Sequence, residues 1–347
     1  MKAAVLDGPY HFRLEKRPLP ALEPGWVLIK VQAAGICGSD IHFYTGELQV
    51  TPGSVRGHEI AGVVVDPGKT ELIREQAAVV HPLLGCNGCP ACRRGQQQLC
   101  VDLQAIGGQY PGGFAEYVAA PVQNVYPFDP DRLPFTHAAF ADGVAVAIHA
   151  MNAVGLRGGE SVVVLGDGAI GLLLLQVALV RGSNPVILVG KHKRNLEIAR
   201  RLGASYAFEG MTADAISSVH DVTTEVDVVF EAVGGPKPPL NTGLRMLRKG
   251  GCLGVLGLTG ATDLDVPWID VVLGEQSIIG TMGYGTFEGE DEMEQALDLM
   301  QSAKISLESI ITHQIPLRDV DRGFKMMLDR TRSHAIKVIL LPHRGTS

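Results

Sequence analysis

Residues 161–182 read SVVVLGDGAIGLLLLQVALVRG, and how this stretch is taken decides the fold. Its apolar length invites a membrane span, which needs roughly 18 or more uninterrupted apolar residues. Asp167 and the glycines around it break the run into a short strand, a turn and a helix. Gly166, Gly168 and Gly171 then stand in G-x-G-x-x-G spacing, directly after an apolar strand and at the opening of an apolar helix. Among 42 glycines such spacing arises by chance, and a turn without a ligand is the plain alternative. The context favours dinucleotide binding. Gly166 makes the tight turn, Gly168 lets a pyrophosphate approach the backbone, and Gly171 lets the helix pack closely on the strand. Ala169 and Ile170 belong to the same cofactor-binding turn, at a helix N-terminus that stabilises phosphate charge.

From about residue 160 onward the pattern repeats. Apolar strands such as PVILVG (185–190), SYAFEG (205–210), VDVVFEAVG (226–234) and CLGVLGL (252–258) alternate with helical segments such as KRNLEIARRLGA (193–204) and LNTGLRMLRKGG (240–251). Such alternation requires a parallel sheet covered on both faces. The first 150 residues differ. Short β segments, VLIKVQAAGI (27–36), IAGVVVD (60–66) and FAEYVAAP (114–121), are separated by Gly/Pro turns, with no sustained helical period until HAAFADGVAVAIHAMNAVG (137–155). After about 285 come two amphipathic helices and the strand AIKVILLP (335–342), whose β-edged character suggests a return to the first domain. The expected fold is α/β in two domains, in keeping with a chain of 347 residues. A β-rich domain takes 1–150 and 286–347, and a doubly wound parallel-sheet domain takes 151–285.

A formal net charge of −7 and the lack of a long basic run argue against a nucleic-acid partner, and KHKR at 191–194 is better read as local. MKAAVLDGPYHF lacks the apolar core of a secretory signal, so a cytoplasmic location without a membrane partner is expected. Six cysteines fall at 37, 86, 89, 92, 100 and 252. CNGCPACRRGQQQLC carries Cys86, Cys89, Cys92 and Cys100, and four thiolates on one short lobe close a tetrahedral zinc shell with no open position, a structural site. Spacing alone also fits an iron–sulfur centre.

AAGICGSDIH (33–42) leaves Cys37 open between metal ligand, nucleophile and buried core residue. VRGHEIAGVVV brings His58 and Glu59, and AAFADGVAVAIHA brings Asp142. Cysteine, histidine and carboxylate from separate turns make a mixed set suited to a zinc that keeps an exchangeable position. Taken singly, each has an ordinary reading: a core Cys, a satisfied His, a solvated Glu, a capping Asp.

In order and spacing, GICGSDIH, GHE, the four-cysteine lobe and the later glycine motif resemble the zinc-dependent branch of the medium-chain dehydrogenase/reductase superfamily. GICGSDIHFY and PGGFAEYV are most similar to its sorbitol, threonine and butanediol dehydrogenase-like members, and the resemblance covers essentially the whole chain. It implies a GroES-like catalytic domain, the β-rich one, joined to a Rossmann domain. It also implies an alcohol or polyol dehydrogenase that interconverts a secondary alcohol and its ketone by hydride transfer, with two zinc ions per chain, as a homodimer or homotetramer. Carried onto this chain, the family pattern makes Cys37 and His58 ligands of the catalytic zinc and Glu59 a direct or alternating ligand. Asp142 stands where polyol-oxidising relatives have Glu followed by Pro, so its shorter carboxylate is expected to reach the metal through water. Ser39 matches the hydroxyl residue that takes the proton from the alcohol, and His42 the outer end of a relay to solvent. VVDPGKTELIREQAAVVHP lacks the family's usual GDRV, so the turn before the lobe is expected to be built differently.

Competing readings are a threonine- or simple-alcohol-type dehydrogenase, a zinc-free quinone or enoyl reductase, and a non-catalytic redox sensor that binds nucleotide and zinc. The zinc-free reductase has no need of Cys37, His58 and the lobe.

An NAD-preferring Rossmann unit carries an acid ~20 positions beyond the glycine motif, on the ribose hydroxyls. Nineteen residues after Gly171 this chain has Gly190, and counting back from RRLGA to the family's usual position lands there too. The carboxylate is thus expected to be absent rather than shifted. Gly190 leaves room for a 2′-phosphate, and Lys191, His192, Lys193 and Arg194 follow at once, so NADP(H) is favoured over NAD(H).

Overall fold

The computed structural model describes residues 1–211 and 213–344. The chain packs into two compact units. Met1–Asp142, Tyr284–Ala303 and the described chain from Leu307 form the first, and Gly143–Gly283 with Lys304–Ser306 form the second.

In the first unit, β1 (Lys2–Gly8) belongs to a three-stranded sheet. The main sheet begins with β2 (Trp26–Gly35), from which α1 (Gly38–Thr45) follows almost directly. β3 (Glu59–Asp66) pairs antiparallel with β2, and β4 (Ala77–Val80), β5 (Tyr117–Pro121) and β6 (Val125–Pro127) extend the sheet. Nearly continuous burial along β2 and β4 explains why their sequences are apolar runs rather than clean alternations. α2 (Ala141–Ala153) carries the chain out of this unit, and the boundary falls inside it, after Asp142 rather than at 150.

The second unit holds β7 (Val162–Leu165), α3 (Ala169–Val180), β8 (Val186–Gly190), α4 (Lys193–Arg201), β9 (Tyr206–Glu209), α5 (Ala213–His220), β10 (Val226–Glu231), α6 (Leu240–Met246), β11 (Leu247–Val255), α7 (Trp268–Leu273) and β12 (Ser277–Gly280). Its six strands are all parallel in the order β9-β8-β7-β10-β11-β12, which reverses direction beside β7, the strand that leads into Gly166. Ligands of open α/β sheets bind at that reversal, outside the carboxyl ends of the strands. α3 is buried on every side from Gly171 to Ala178, which accounts for its run of leucines.

Two details depart from the reading of the sequence. LNTGLRMLRKGG is not one helix. It ends at Met246, and the rest enters β11, where Gly250 at φ 72° makes the irregular step before Cys252 comes into register with Val228. Residues 304–306 join the second unit because the buried Gln176 of α3 bonds the Ser306 backbone both ways, at 3.1 and 2.7 Å.

The chain then completes the first unit with α8 (Glu292–Gln301), β13 (Ile311–Pro316), α9 (Val320–Leu328) and β14 (Lys337–Leu341). β14 is interior, antiparallel to β2 on one side and parallel to β13 on the other. No helix among the described residues is long and apolar enough to cross a membrane.

Candidate active site and metal centres

The register of β2 against β3 builds the first site. Gly35 lies opposite Glu59, so Cys37, just past the end of β2, and His58, just before β3, are brought side by side. One ligand atom each from Cys37, His58 and Glu59 lies within 4.8 Å of the others. Cys37 is the N-cap of α1 in extended backbone, and its N–H donates to the Asp40 carboxylate three residues on, at 3.2 Å. Asp40, which the sequence reading passes over, is buried with one oxygen 3.7 Å from His58 Nδ1 and 3.8 Å from Arg56 Nη2. Burial pulls the His58 imidazole down, but Asp40 and Cys37 outweigh it and hold the ring well above its ordinary value.

Glu59 is fixed by a residue that lies 278 positions away. Lys337 of β14 forms an ion pair with its carboxylate, donates to the Ile36 carbonyl at 3.0 Å and sits 4.1 Å over the Phe140 ring. Both side chains are buried, and burial pushes the Glu59 carboxyl above its usual range against the pull of Lys337. Gly35 is required here, because a Cβ at that position would fall on Glu59 Oε2.

Asp142 is not within 4.8 Å of all three donors. It is buried nearby and accepts the Tyr284 hydroxyl at 2.8 Å, while the Tyr284 ring stands edge-on to His81 at 4.5 Å. Burial, reinforced by Asp142, pushes the Tyr284 hydroxyl well up, so it stays a donor. Burial likewise pulls His81 down. Ser39 and His42 are half-buried and three residues apart on α1, hence on one face, and His42 Nδ1 is 2.7 Å from the Glu47 carboxylate. Lys337 had a sequence signal, a lone lysine inside an apolar strand. Tyr284 had none.

In the lobe, the sulfurs of Cys86, Cys89, Cys92 and Cys100 also lie within 4.8 Å of one another, and all four are free of disulfides. Backbone amides point at them: Cys86 N–H to Cys100 at 3.2 Å, Cys89 N–H to Cys86 at 3.3 Å, and Asp102 N–H to Cys100 at 3.4 Å. The Cys92 amide helps hold the Cys89 thiol down at about 6. Burial and the three neighbouring cysteines push Cys92 up to about 12. Four thiolates therefore need a cation among them. Gly85 makes the room, since a Cβ there would meet Cys92 Sγ at 2.7 Å.

At the glycine-rich turn, Gly166 has φ 120° and Gly168 caps α3, while a Cβ on Gly171 would fall on the Gly166 carbonyl. Ala169 and Ile170 begin the helix. One expectation is corrected. A carboxylate does stand at the end of β8, supplied by Asp167, whose Oδ2 accepts the amides of Lys191 at 3.1 Å and His192 at 2.6 Å. Sequence distance could not reveal it, because Asp167 lies in the turn after β7 and reaches the neighbouring strand only through sheet pairing.

The alcohol dehydrogenase GroES-like domain matches residues 23–130, and the zinc-binding dehydrogenase family matches residues 169–302. D-xylulose reductase A of Aspergillus niger is 31% identical over 335 residues, 92% of each chain. Galactitol-1-phosphate dehydrogenase of Escherichia coli superimposes with a TM-score of 0.90 at 27% identity, over 99% of this chain and 100% of that one. A zinc-binding dehydrogenase of Sinorhizobium meliloti, bound to NADP, gives 0.89 at 28% identity, over 98% and 99%.

Removing Lys337 leaves the buried Glu59 carboxyl without its partner, and breaking a buried pair in this way typically costs about 3–5 kcal/mol. Lys337→Met is expected to lower unfolding free energy by about that much in urea titrations, and Lys337→Arg by less. A loss under ~1 kcal/mol for the methionine variant would show that the pair does not hold the site together.

Proposed function

The chain belongs to the zinc-dependent medium-chain dehydrogenase/reductase superfamily and is an oxidoreductase acting on CH–OH groups, and from that premise we propose that it interconverts a sugar alcohol or vicinal diol and its ketone at a secondary carbon, with NADP(H). The observation that carries this reading is the convergence of Cys37, His58 and Glu59 beside a buried Asp142. These donors fit a zinc with an exchangeable position, and the four cysteines of the lobe fit a closed zinc site, two ions per chain. The catalytic ion would supply Lewis-acid activation of the substrate hydroxyl, and the dinucleotide would accept the hydride.

The chain's own residues do the rest. Ser39 takes the hydroxyl proton and His42 passes it outward, its ring held by Glu47 at 2.7 Å. Asp40 holds the Cys37 backbone and balances His58. Asp142, tied to Tyr284, adds negative charge and an acceptor for a second substrate hydroxyl or its water. This carboxylate-rich surround favours polyols over monohydric alcohols, in line with the polyol and ketose names of the relatives. Lys191 and His192 support NADP(H), as does the NADP bound to the Sinorhizobium meliloti protein.

Self-association, as dimer or tetramer, is supported by α7 and the edge strand β12. Trp268, Ile269 and Leu273 are 67%, 68% and 70% exposed, and Ile278 of β12 is 40% exposed. An exposed apolar helix that leads into a strand at the sheet's edge among the described residues is suited to a second copy. Ile269→Lys is expected to shift the protein toward monomer in sedimentation at micromolar concentration. An unchanged sedimentation profile would speak against this surface.

Metal analysis of freshly purified protein is expected to find two zinc ions per chain. Cys89→Ser should lower stability and solubility, because an incomplete closed shell forfeits folding free energy. His58→Ala should abolish turnover while the fold persists by circular dichroism. One zinc or none would count against the scheme.

In a cofactor-reduction screen, a vicinal diol or polyol is expected to exceed ethanol in kcat/KM. Ethanol outperforming every polyol would overturn the substrate assignment, and absence of turnover with all alcohols would turn attention to a sensor.

A further inference from the structure

Gly190 and Asp167 act as one unit. A Cβ at position 190 would come within 2.6 Å of Asp167 Cγ and 2.8 Å of its Oδ2, so the space for a side chain there is already filled from the glycine-rich turn. Asp167 is buried and well supplied with donors. Besides the amides of Lys191 and His192, the His192 Nδ1 stands 3.1 Å from each of its oxygens, and Asn195 donates to its backbone carbonyl at 2.9 Å. A carboxylate only accepts, so Nδ1 carries the proton in this contact and Nε2 lies on the opposite edge of the ring.

Two effects oppose each other for a phosphate arriving at this corner. As a bare anion, Asp167 would repel it. As the partner of two amides and an imidazole, Asp167 orients His192, turning the Nε2 edge of the ring away from the carboxylate. The donor inventory favours the second effect, since the Asp167 charge is already shared among three N–H groups. The segment that follows Gly190 carries Lys191, His192, Lys193 and Arg194, against Asp167 and Glu209, which is 3.7 Å from Lys193 Nζ. Lys191, Lys193 and Arg194 outnumber the two carboxylates even with the imidazole left out of the count. An acid occupied in this way is also poorly placed to accept both ribose hydroxyls, the task an aspartate at the end of β8 would perform.

We propose that Asp167 and His192 form a coupled pair that reads the 2′-phosphate of the dinucleotide, His192 as the group that meets the phosphate and Asp167 as the positioning residue that orients it. The inference rests on the NADP(H) reading given above. It makes Gly190 a consequence of Asp167, because the carboxylate has moved from one strand end to the neighbouring turn and changed its role.

The test is calorimetric binding of NADPH, NADH and 2′,5′-ADP to the purified enzyme without substrate, with thermal melts to verify folding. The native protein is expected to bind NADPH more tightly than NADH and to bind 2′,5′-ADP. His192→Gln should weaken NADPH and 2′,5′-ADP by about tenfold, the scale of one charge-assisted hydrogen bond, and leave NADH within about twofold. Asp167→Asn, nearly isosteric, should do the same. A gain in NADPH affinity in Asp167→Asn would mean that the carboxylate is a repelling anion, and equal losses for NADPH and NADH would mean that it only shapes the turn. Either result overturns the pair. If the native protein prefers NADH and ignores 2′,5′-ADP, the NADP(H) reading falls and the pair with it. If it prefers NADPH and both variants leave the ratio unchanged, the pair alone falls.

Discussion

The ion pair between Lys337 and Glu59 is the contact on which the first unit depends. A carboxylate and an ammonium removed from water lose several kcal/mol of hydration each, which is recovered only when they meet in good geometry with further hydrogen bonds. Here the Ile36 carbonyl and the Phe140 ring supply those further contacts, and Gly35 leaves the space. The pair cannot form until the last strand has returned to lie against β2. The C-terminal segment is therefore part of the site rather than an appendage, and the chain must leave for a whole second unit and come back before Glu59 is held.

The same rule, that buried charge must be balanced, recurs at three other places. Asp40 stands between His58 and Arg56, whose guanidinium lies 3.7 Å over Phe43. Asp167 gathers two amides and an imidazole. The cysteine lobe gathers backbone N–H groups, but amide dipoles carry too little charge to hold four thiolates together, which is why that cluster calls for a metal whereas Asp167 does not. The difference lies in the ratio of anions to donors. One carboxylate with three N–H groups is self-sufficient, and four sulfurs converging within 4.8 Å are not.

Much of this was legible in the sequence because it depends on local spacing. The glycine motif, the four cysteines and the alternation of strand and helix after residue 160 are short-range patterns, and the parallel sheet with its reversal beside β7 follows from them. Cys37, His58 and Glu59 were nameable one by one, and the antiparallel register of β2 and β3 brings their donor atoms together. What escaped depends on long-range contacts or on exposure. Lys337 and Tyr284 meet their partners across more than a hundred positions. α7 was not read as a helix because its large apolar residues face outward, so it lacks the one-sided pattern on which helix reading relies. The unit boundary slipped by a few residues because α2 is apolar across it, and composition does not change where the packing does.

Position 190 shows most clearly how a strand-end motif can mislead. Counting along the chain treats each position as an independent slot, so glycine at the acid's place reads as loss of the acid. In the folded chain the slot belongs to a volume at the end of β8, and two positions compete for it: residue 190 from its own strand, and residue 167 from the turn after β7. Only one side chain fits. An aspartate placed at 190 in the native background would meet Asp167 within 3 Å, crowding two carboxylates and breaking the amide contacts of Lys191 and His192. Nucleotide preference measured in that single variant would report the collision rather than the chemistry of position 190. The informative comparison keeps the number of carboxylates constant, with glycine at 167 and aspartate at 190 together, since it moves the acid without adding charge. The unit that specifies the nucleotide corner is thus the pair of positions, and its chemistry is set by which backbone the single carboxylate is anchored to.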